Sequence, residues 1–208
     1  LGHRAENAIA DARATIAQLI GAQPTEIYFT SGGSESDNWA IKGYAHANAA
    51  KGRHIITSAI EHHAVLHSCQ ALEREGYEVT YLPVNAEGLV ELEQFDAAIR
   101  DDTILATIMM ANNEIGTIEP IRQLAEIAHA HKVAFHTDAV QAFGHIPINV
   151  DEMGIDMLSS SAHKLNGPKG MGLLYIRKGI RLQNLIDGGQ QERGRRASTE
   201  NVAGLVGS

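Results

Sequence analysis

The sequence predicts an α/β fold of three layers, α/β/α, around a mostly parallel sheet. Short apolar runs alternate along the chain with helical stretches of about 10 to 17 residues, which is typical of βαβ units. Polar residues follow several of the apolar runs, where strands would end. With 208 residues the chain can bury one sizeable core, so we expect one large domain, or one domain with pieces of another.

Seven apolar runs have the length and the residue types of strands. Each is short, rich in β-branched, aromatic or other apolar residues, and bounded by polar or turn-forming residues. The predicted strands are Glu26–Thr30, His54–Ser58, Glu78–Leu82, Ile104–Met110, Val133–Thr137, Met157–Ser160 and Gly172–Ile176.

Five longer stretches have the apolar spacing of amphipathic helices. In the first of them, one stripe contains Ile9, Ala12, Ile16, Leu19 and Ile20, and we expect that stripe to face the core. The predicted helices are Ala5–Ile20, Glu35–Ala49, His62–Glu75, Glu91–Arg100 and Pro120–His131.

Composition and charge exclude several classes of function. A net charge of -8 and a pI near 5.7 argue against a protein that binds the phosphate backbone of nucleic acids. No apolar run approaches the roughly twenty residues of a membrane span, so we expect no membrane insertion. Cys69 is the only cysteine, which excludes an internal disulfide and fits a reducing compartment such as the cytoplasm.

Two clusters of basic residues have ordinary interpretations. His63 and His67 are four apart on a predicted helix, but the pattern offers no third ligand, so we predict no metal site. The run of Arg193, Arg195 and Arg196 lies between acidic residues, and we expect it at a subunit interface or in a loop cluster of ion pairs.

The segments that follow five of the predicted strands are polar and would meet at one edge of the sheet. Ligands of open α/β sheets bind at that edge, outside the carboxyl ends of the strands. The segments are Ser31-Gly32-Gly33-Ser34, Glu61-His62-His63, Asn112-Asn113-Glu114, Asp138 with Gln141, and Ser161-Ala162-His163-Lys164.

The segment SGGSESDN has the features of an anion site. Gly32 and Gly33 would let a phosphate approach the free N–H groups at the start of a helix. The same residues could form a plain turn in which Ser34 is the helix N-cap, and the residues alone do not separate these alternatives. A nucleotide-binding P-loop is excluded, because no glycine is followed by Lys and then Ser or Thr at the required spacing.

Asp138 and Lys164 each have a specific and an ordinary interpretation. Asp138 ends an apolar strand, where a buried carboxylate needs a cation or donor such as a protonated pyridine nitrogen; it could instead bond its own loop. Lys164 lies between an apolar strand and a glycine-rich turn, where loss of water would leave an amine able to attack an aldehyde. It could instead be a solvated loop lysine, as its neighbour Lys169 could.

Six blocks of the sequence together resemble the cysteine desulfurases, which are fold-type I pyridoxal-phosphate enzymes related to class V aminotransferases. They cover essentially the whole chain in the order and spacing of that family. The resemblance implies that residues 1–208 form the large, pyridoxal-phosphate-binding domain of such a transferase. The blocks are FTSGGSESDNWAIKG, EHHAVLHSC, MMANNEIGTIEPI, HTDAVQAFGHIPINV, SSSAHKLNGPKGMGLLYIR and QERGRRASTENVAG.

The resemblance also implies the site residues. Lys164 would carry the cofactor covalently, Asp138 would pair with its pyridine nitrogen and His62 would stack on its ring; these three are the expected catalytic residues. We expect Asn113 and Gln141 near the phenolic oxygen. Ser34, Ser161 and His163 are expected at the phosphate, next to the turn that contains Gly33, and Thr199 at the phosphate of the neighbouring subunit. A homodimer follows from that last expectation.

The activity that the resemblance implies is the removal of sulfur from L-cysteine, which leaves alanine and an enzyme persulfide. A sulfur-acceptor protein would then receive the sulfur for iron–sulfur cluster or thio-cofactor assembly. The alternatives are a selenocysteine lyase or a class V aminotransferase with the same cofactor, and a non-catalytic fragment or scaffold that binds partners.

Parts of the family pattern are missing or altered. The nucleophilic cysteine and the arginine that binds the substrate carboxylate would lie beyond residue 208, and we expect the N-terminal segment and the C-terminal small domain to be absent. Cys69 lies in a helical pattern and is expected in the core. Ser34 stands where the family commonly has Thr, and Ser198 where it commonly has Gly, which puts the reach of Thr199 in question.

Overall fold

A sheet of seven strands forms the centre of the fold in a computed structural model, which describes residues 2–207. The strand order is β1-β7-β6-β5-β4-β2-β3, and among these strands only β7 runs antiparallel to its neighbours. The strands are β1 (Ile27–Thr30), β2 (His54–Ser58), β3 (Glu78–Leu82), β4 (Thr103–Thr107), β5 (Ala134–Asp138), β6 (Met157–Ser161) and β7 (Gly172–Ile176).

All seven predicted strands are confirmed, and three of them, β2, β3 and β7, have the predicted bounds. β4 ends at Thr107, three residues before the predicted end, because its ladder with β2 ends there. Beyond that point the N–H groups of Ile108 and Met110 still donate to carbonyls of β5. β5 ends one residue later than predicted, so Asp138 is its last residue.

Helices cover both faces of the sheet, which confirms the three-layer α/β/α prediction. Neighbouring strand residues point to opposite faces: Ile56 belongs to the core under α1, α5 and α6, whereas Ile55 belongs to the core under α2, α3 and α4. The helices are α1 (Gly2–Leu19), α2 (Gly33–Asn38), α3 (Tyr44–Asn48), α4 (His63–Arg74), α5 (Leu92–Ala98), α6 (Ile121–Ala130), α7 (Gln191–Gly194) and α8 (Val202–Val206). None of the helices within residues 2–207 combines the length and apolar character that a membrane span requires.

Two details of the predicted helices are wrong. Leu19 was expected on the buried stripe of α1 but is 66% exposed, while Ala17 is buried in its place. The helix predicted over Glu35–Ala49 is divided by a π-helical segment, Trp39–Gly43, between α2 and α3. The backbone of Gly43 lies so close to the chain at Gln183 that a Cβ would be 2.7 Å from its carbonyl oxygen.

The C-terminal part of the chain contains structure that the sequence patterns do not predict. The segment NVAGLVGS carries no recognised helix signal, yet α8 forms there, and the Asn201 side chain accepts a hydrogen bond from the Gly204 N–H as an N-cap. α7 is a single turn in which Glu192 and Arg193 have left-handed backbone conformations, with φ of 45° and 59°.

A buried ion pair joins α7 to α1, and a hydrogen bond to the same carboxylate joins α7 to β1. Both guanidinium NH groups of Arg13 donate to the carboxylate of Glu192, at 2.8 and 2.7 Å, and the N–H of Phe29 donates to the same carboxylate. The two side chains are 11% and 2% exposed. Because the Glu192 carboxylate accepts hydrogen bonds from both Arg13 and the Phe29 N–H, the left-handed backbone of Glu192 is held in place despite its conformational cost.

Replacing Arg13 should destabilise the fold far more than replacing a surface arginine. Arg13→Ala leaves the Glu192 carboxylate buried without a cation, which we expect to lower the free energy of unfolding by about 3 to 5 kcal/mol. The matched control is Arg122→Ala, whose partner Glu126 is exposed and one turn away on α6, with an expected loss below about 0.5 kcal/mol. Urea denaturation measures both, and equal losses would contradict the structural role of the buried pair.

Candidate active site

A cavity of about 560 Å³ opens at the carboxyl ends of the parallel strands. Loops that follow β1, β2, β4, β5 and β6 all contribute to its walls, as the strand-end pattern predicts. Every predicted site residue except Thr199 lines it; their roles toward a ligand stay a prediction. These residues are Gly33, Ser34, His62, Asn113, Asp138, Gln141, Ser161, His163 and Lys164.

The glycine turn after β1 brings backbone to the cavity at distances that a side chain would prevent. A Cβ on Gly33 would lie 2.6 Å from Cγ2 of Val140, and one on Gly172 would lie 2.5 Å from the Cα of Gly32. α2 begins at Gly33 and Gly32 occupies the N-cap position, so the alternative that Ser34 is the N-cap is wrong. Ser34 is an exposed residue of the first helical turn, on the cavity wall.

Asp138 is a buried carboxyl group that faces the cavity. It is 5% exposed, and its Oδ1 accepts a hydrogen bond of 2.9 Å from the Val140 N–H. Burial raises the pKa of Asp138, while that N–H and the nearby His62 act in the opposite direction. Among the described residues no lysine or arginine forms an ion pair with Asp138. A cationic N–H from a ligand is the partner that this carboxyl lacks.

His62 is fixed at the start of α4. It is the N-cap residue, and its Nδ1 accepts a hydrogen bond of 3.1 Å from the Ala64 N–H. A neutral His62 ring therefore carries its proton on Nε2. The exposed ring lies on the cavity wall, where it can cover a planar ligand.

The loop after β6 contributes a hydroxyl, an imidazole and two lysines. The Oγ of Ser161 lies 2.7 Å from Nδ1 of His163, so these two side chains are held together. A 3₁₀ turn over Ala162–Leu165 then presents Lys164. The sequence leaves open whether Lys164 is shielded from water or exposed. In the structure it is exposed on the cavity wall, as Lys169 is.

Thr199 lies outside the main cavity. It lines a second cavity of about 190 Å³, which shares Ser31 and Gly170 with the first. The guanidinium of Arg196 donates two hydrogen bonds, of 2.7 and 3.0 Å, to the carboxylate of Glu35 at the start of α2. Thr199 is thereby held near the glycine turn but does not reach the cavity of its own chain.

The three basic residues before Thr199 are engaged within the chain. Arg193 donates to the carbonyls of Thr25 and Ile27, and its guanidinium lies 4.2 Å from the ring centre of Tyr28. Arg195 lies 5.6 Å from that ring centre. The prediction of a loop cluster of ion pairs is therefore correct for Arg196, and a role of the three at a subunit interface stays a prediction.

Ser198 has the backbone conformation that suits glycine. Its φ of +98° lies in the region that L residues rarely adopt. Ser198, which stands where the family commonly has Gly, therefore has a strained backbone next to Thr199.

Replacing Ser198 with glycine should stabilise the protein. We expect Ser198→Gly to raise the free energy of unfolding by about 1 kcal/mol, because the strain of the positive φ is removed. Ser198→Ala retains the Cβ and should give no gain, which makes it the control. Thermal unfolding of the three proteins measures the difference, and equal effects of Gly and Ala would contradict the strain.

Two acids beside the cavity, Asp37 and Glu61, are buried, which the sequence patterns do not predict, although Glu61 belongs to one of the predicted strand-end segments. Asp37 lines the cavity from α2 and is 1% exposed. Glu61 accepts hydrogen bonds from the Ser58 hydroxyl and the Met109 N–H, and burial raises the pKa of Glu61 to about 8. One signal was available for Asp37: it follows Gly33 by four residues on a helix, and therefore shares the face of the glycine turn.

Comparison with known proteins gives a consistent result. The sequence profile of the Aminotransferase class-V family matches residues 1–208. The cysteine desulfurase IscS of Methanosarcina thermophila is 60% identical over 207 residues, which are 100% of this chain and 51% of that protein. The IscS of Clostridium botulinum strain Hall is 59% identical over 204 residues, 98% of this chain and 51% of its own length. The chain thus spans about half the length of these relatives.

Solved structures agree with the sequence relatives. A NifS-like protein superposes with a TM-score of 0.96 at 44% identity, over 99% of this chain and 57% of that one. The structure titled "SspA in complex with cysteine" has a TM-score of 0.96 at 48% identity, over 99% of this chain and 60% of that one.

The fold and these matches define the cofactor-binding architecture of a fold-type I pyridoxal-phosphate enzyme. Within that class the chain belongs to the class V aminotransferase family. Pyridoxal phosphate is the cofactor of this family and of its cysteine desulfurase members. The cavity fits it, because Asp138 lacks a cation, two lysine amines reach the wall, and the glycine turn admits a phosphate.

Proposed function

We propose that this chain is the cofactor-binding large domain of a cysteine desulfurase, a pyridoxal-phosphate enzyme that removes sulfur from L-cysteine. The observation that carries the proposal is that Asp138, a buried carboxyl without a cation, shares one cavity with Lys164. The names of the relatives and the cysteine bound to SspA support this substrate. The cargo would be sulfur for iron–sulfur cluster or thio-cofactor assembly, passed to an acceptor protein.

Different residues of the cavity would bind different parts of the cofactor. Lys164 would hold it covalently, and Asp138 would hold the proton on its ring nitrogen. Ser34, Ser161 and His163 are placed for the phosphate. Asn113 and Gln141, on the loops after β4 and β5, line the same cavity and would lie near the phenolic oxygen.

When bound, pyridoxal phosphate supplies an electron sink for bonds at the Cα of an amino-acid substrate. The chain contributes proton transfer and shielding. The Lys164 amine would take a proton from the substrate Cα and return one there. His62 would cover one face of the ring and exclude water from it.

The sulfur must be taken by a group outside this chain. Cys69 is fully buried in α4, and burial raises the pKa of its thiol to about 12, so it is neither accessible nor a thiolate. The expectation that Cys69 is a core residue is therefore correct. We propose that a cysteine elsewhere in the whole protein attacks the substrate sulfur and becomes the persulfide.

We also propose that the protein works as a homodimer in the cytoplasm. Thr199 supports a dimer, since it lies beside the glycine turn but outside its own chain's main cavity. A single buried thiol is compatible with a reducing compartment.

Borohydride reduction should identify the lysine that carries the cofactor. Treatment of the protein with pyridoxal phosphate and then borohydride is expected to attach the reduced cofactor permanently to Lys164, with loss of the visible absorption band of the bound cofactor. Peptide mass mapping locates the adduct. Lys164→Ala should lose both the band and the adduct, while Lys169→Ala, the control from the same cavity, should keep both.

Activity gives the second readout. With L-cysteine, the whole protein, which includes the proposed attacking cysteine, should produce alanine, and so should its Lys169→Ala variant. Lys164→Ala of the whole protein should be slower by at least about a thousandfold, because its proton carrier is lost. An adduct on Lys169 would contradict the site assignment. Cofactor binding without alanine formation would favour the aminotransferase alternative, and no cofactor binding at all would favour a scaffold.

A further inference from the structure

A second buried carboxyl group lies beside Asp138. Asp37 on α2 is 1% exposed, and its Oδ1 has no hydrogen-bond partner among the described residues. Oxygen atoms of Asp37 and Asp138 and a ring nitrogen of His62 all lie within 4.8 Å of one another. Two acids and one imidazole thus meet at the floor of the main cavity.

Within residues 2–207 no lysine or arginine forms an ion pair with Asp37. His136 places its Nε2 3.8 Å from Oδ1 of Asp37, but burial lowers the pKa of His136 to about 3, so the ring is neutral. Both ring nitrogens are also occupied: Nδ1 lies 2.7 Å from the hydroxyl of Thr107, and Nε2 lies 2.9 Å from that of Ser159. The contact between His136 and Asp37 is consequently not an ion pair.

Two buried carboxyl groups this close to each other favour a state in which only one of them is ionised. Burial, the charge of Asp138 and the charge of Glu61 raise the pKa of Asp37 well above its ordinary range. A hydrogen bond from the Ser159 hydroxyl lowers this pKa but does not outweigh them. Asp138 has two features that favour its charged form, the Val140 N–H and the nearby His62. The shared proton therefore belongs on Asp37.

We propose that Asp37 is a positioning residue that holds one proton beside Asp138, so that the two carboxyls together carry a single negative charge. The charge stays on Asp138, where it matches the single N–H of the cofactor ring. This inference rests on the proposed function for its purpose, but the protonation state of Asp37 can be measured without the cofactor.

Infrared difference spectroscopy tests the proton directly. At neutral pH the spectrum of the protein minus that of Asp37→Asn should contain the C=O stretch of a protonated carboxylic acid. Removing the neighbouring charge with Asp138→Asn should lower the pH midpoint of this signal by about one unit or more. Glu61→Gln is the control, because Glu61 is a second buried acid whose own signal must be assigned separately.

Cofactor affinity tests the purpose of the proton. Asp37→Asn retains a neutral group of the same shape, so its dissociation constant for pyridoxal phosphate should stay within about threefold of that of the unchanged protein. Asp138→Asn should weaken binding at least about tenfold, because the charge that pairs with the ring N–H is lost. A variant that only damaged the fold would also lose circular dichroism, which is measured in parallel. If Asp37→Asn does not fold, the infrared spectra of the unchanged protein and of Asp138→Asn still show whether the pH midpoint of the acid signal moves, and this comparison tests the proposal.

Three results would overturn the proposal: an ionised Asp37 at neutral pH, a midpoint unmoved by Asp138→Asn, or equal losses of affinity in the two variants. Retention of added zinc by the ligand-free protein but not by Asp37→Asn, with loss of the acid signal, would assign a metal to the pair and also overturn it. Failure of the borohydride experiment would instead contradict the proposed function and leave the infrared result standing.

Discussion

The electrostatic state of Asp138 is the constraint on which the site depends. Its carboxyl group terminates β5, the fourth of seven strands across the sheet, and is 5% exposed. A carboxylate in such a place costs several kcal/mol unless a cation or donors compensate it. The chain provides one N–H, from Val140, and the nearby His62 ring, but no lysine or arginine among the described residues forms an ion pair with Asp138. The incomplete compensation is what makes the cavity suited to a ligand with a protonated nitrogen, and unsuited to an anion at that point.

The rest of the cavity follows from the parallel sheet and from close backbone packing around it. Because four neighbouring strands run in one direction, the loops that follow them reach the same edge. Gly33 and Gly172 let the β1 loop lie against Val140 and β7 without a side chain between them. The glycine turn and the Asp138 carboxyl are therefore brought to the walls of one cavity by the packing of the sheet and its loops.

The sequence predicts this arrangement well wherever local pattern and tertiary environment agree. The β2, β3 and β7 strands have the predicted bounds, since a short apolar run between turns has few alternatives in an α/β chain. The prediction of secondary structure fails at two places where residues that are distant in the sequence come into contact. At the π segment the carbonyl of Gln183 lies close to Gly43, and in α7 the carboxylate of Glu192 is paired with Arg13, 179 residues away. Asp37 was missed because its spacing of four residues from Gly33 places it on the face of the glycine turn but does not show that it is buried.

A crystal structure of the protein grown with pyridoxal phosphate is the most direct test of the central claim, which is that one buried carboxylate and one lysine of this cavity hold the cofactor. We predict continuous electron density from Nζ of Lys164 to the cofactor, with a carboxylate oxygen of Asp138 within about 3 Å of the ring nitrogen. A cofactor joined to Lys169, or a ring nitrogen that faces away from Asp138, would contradict the claim.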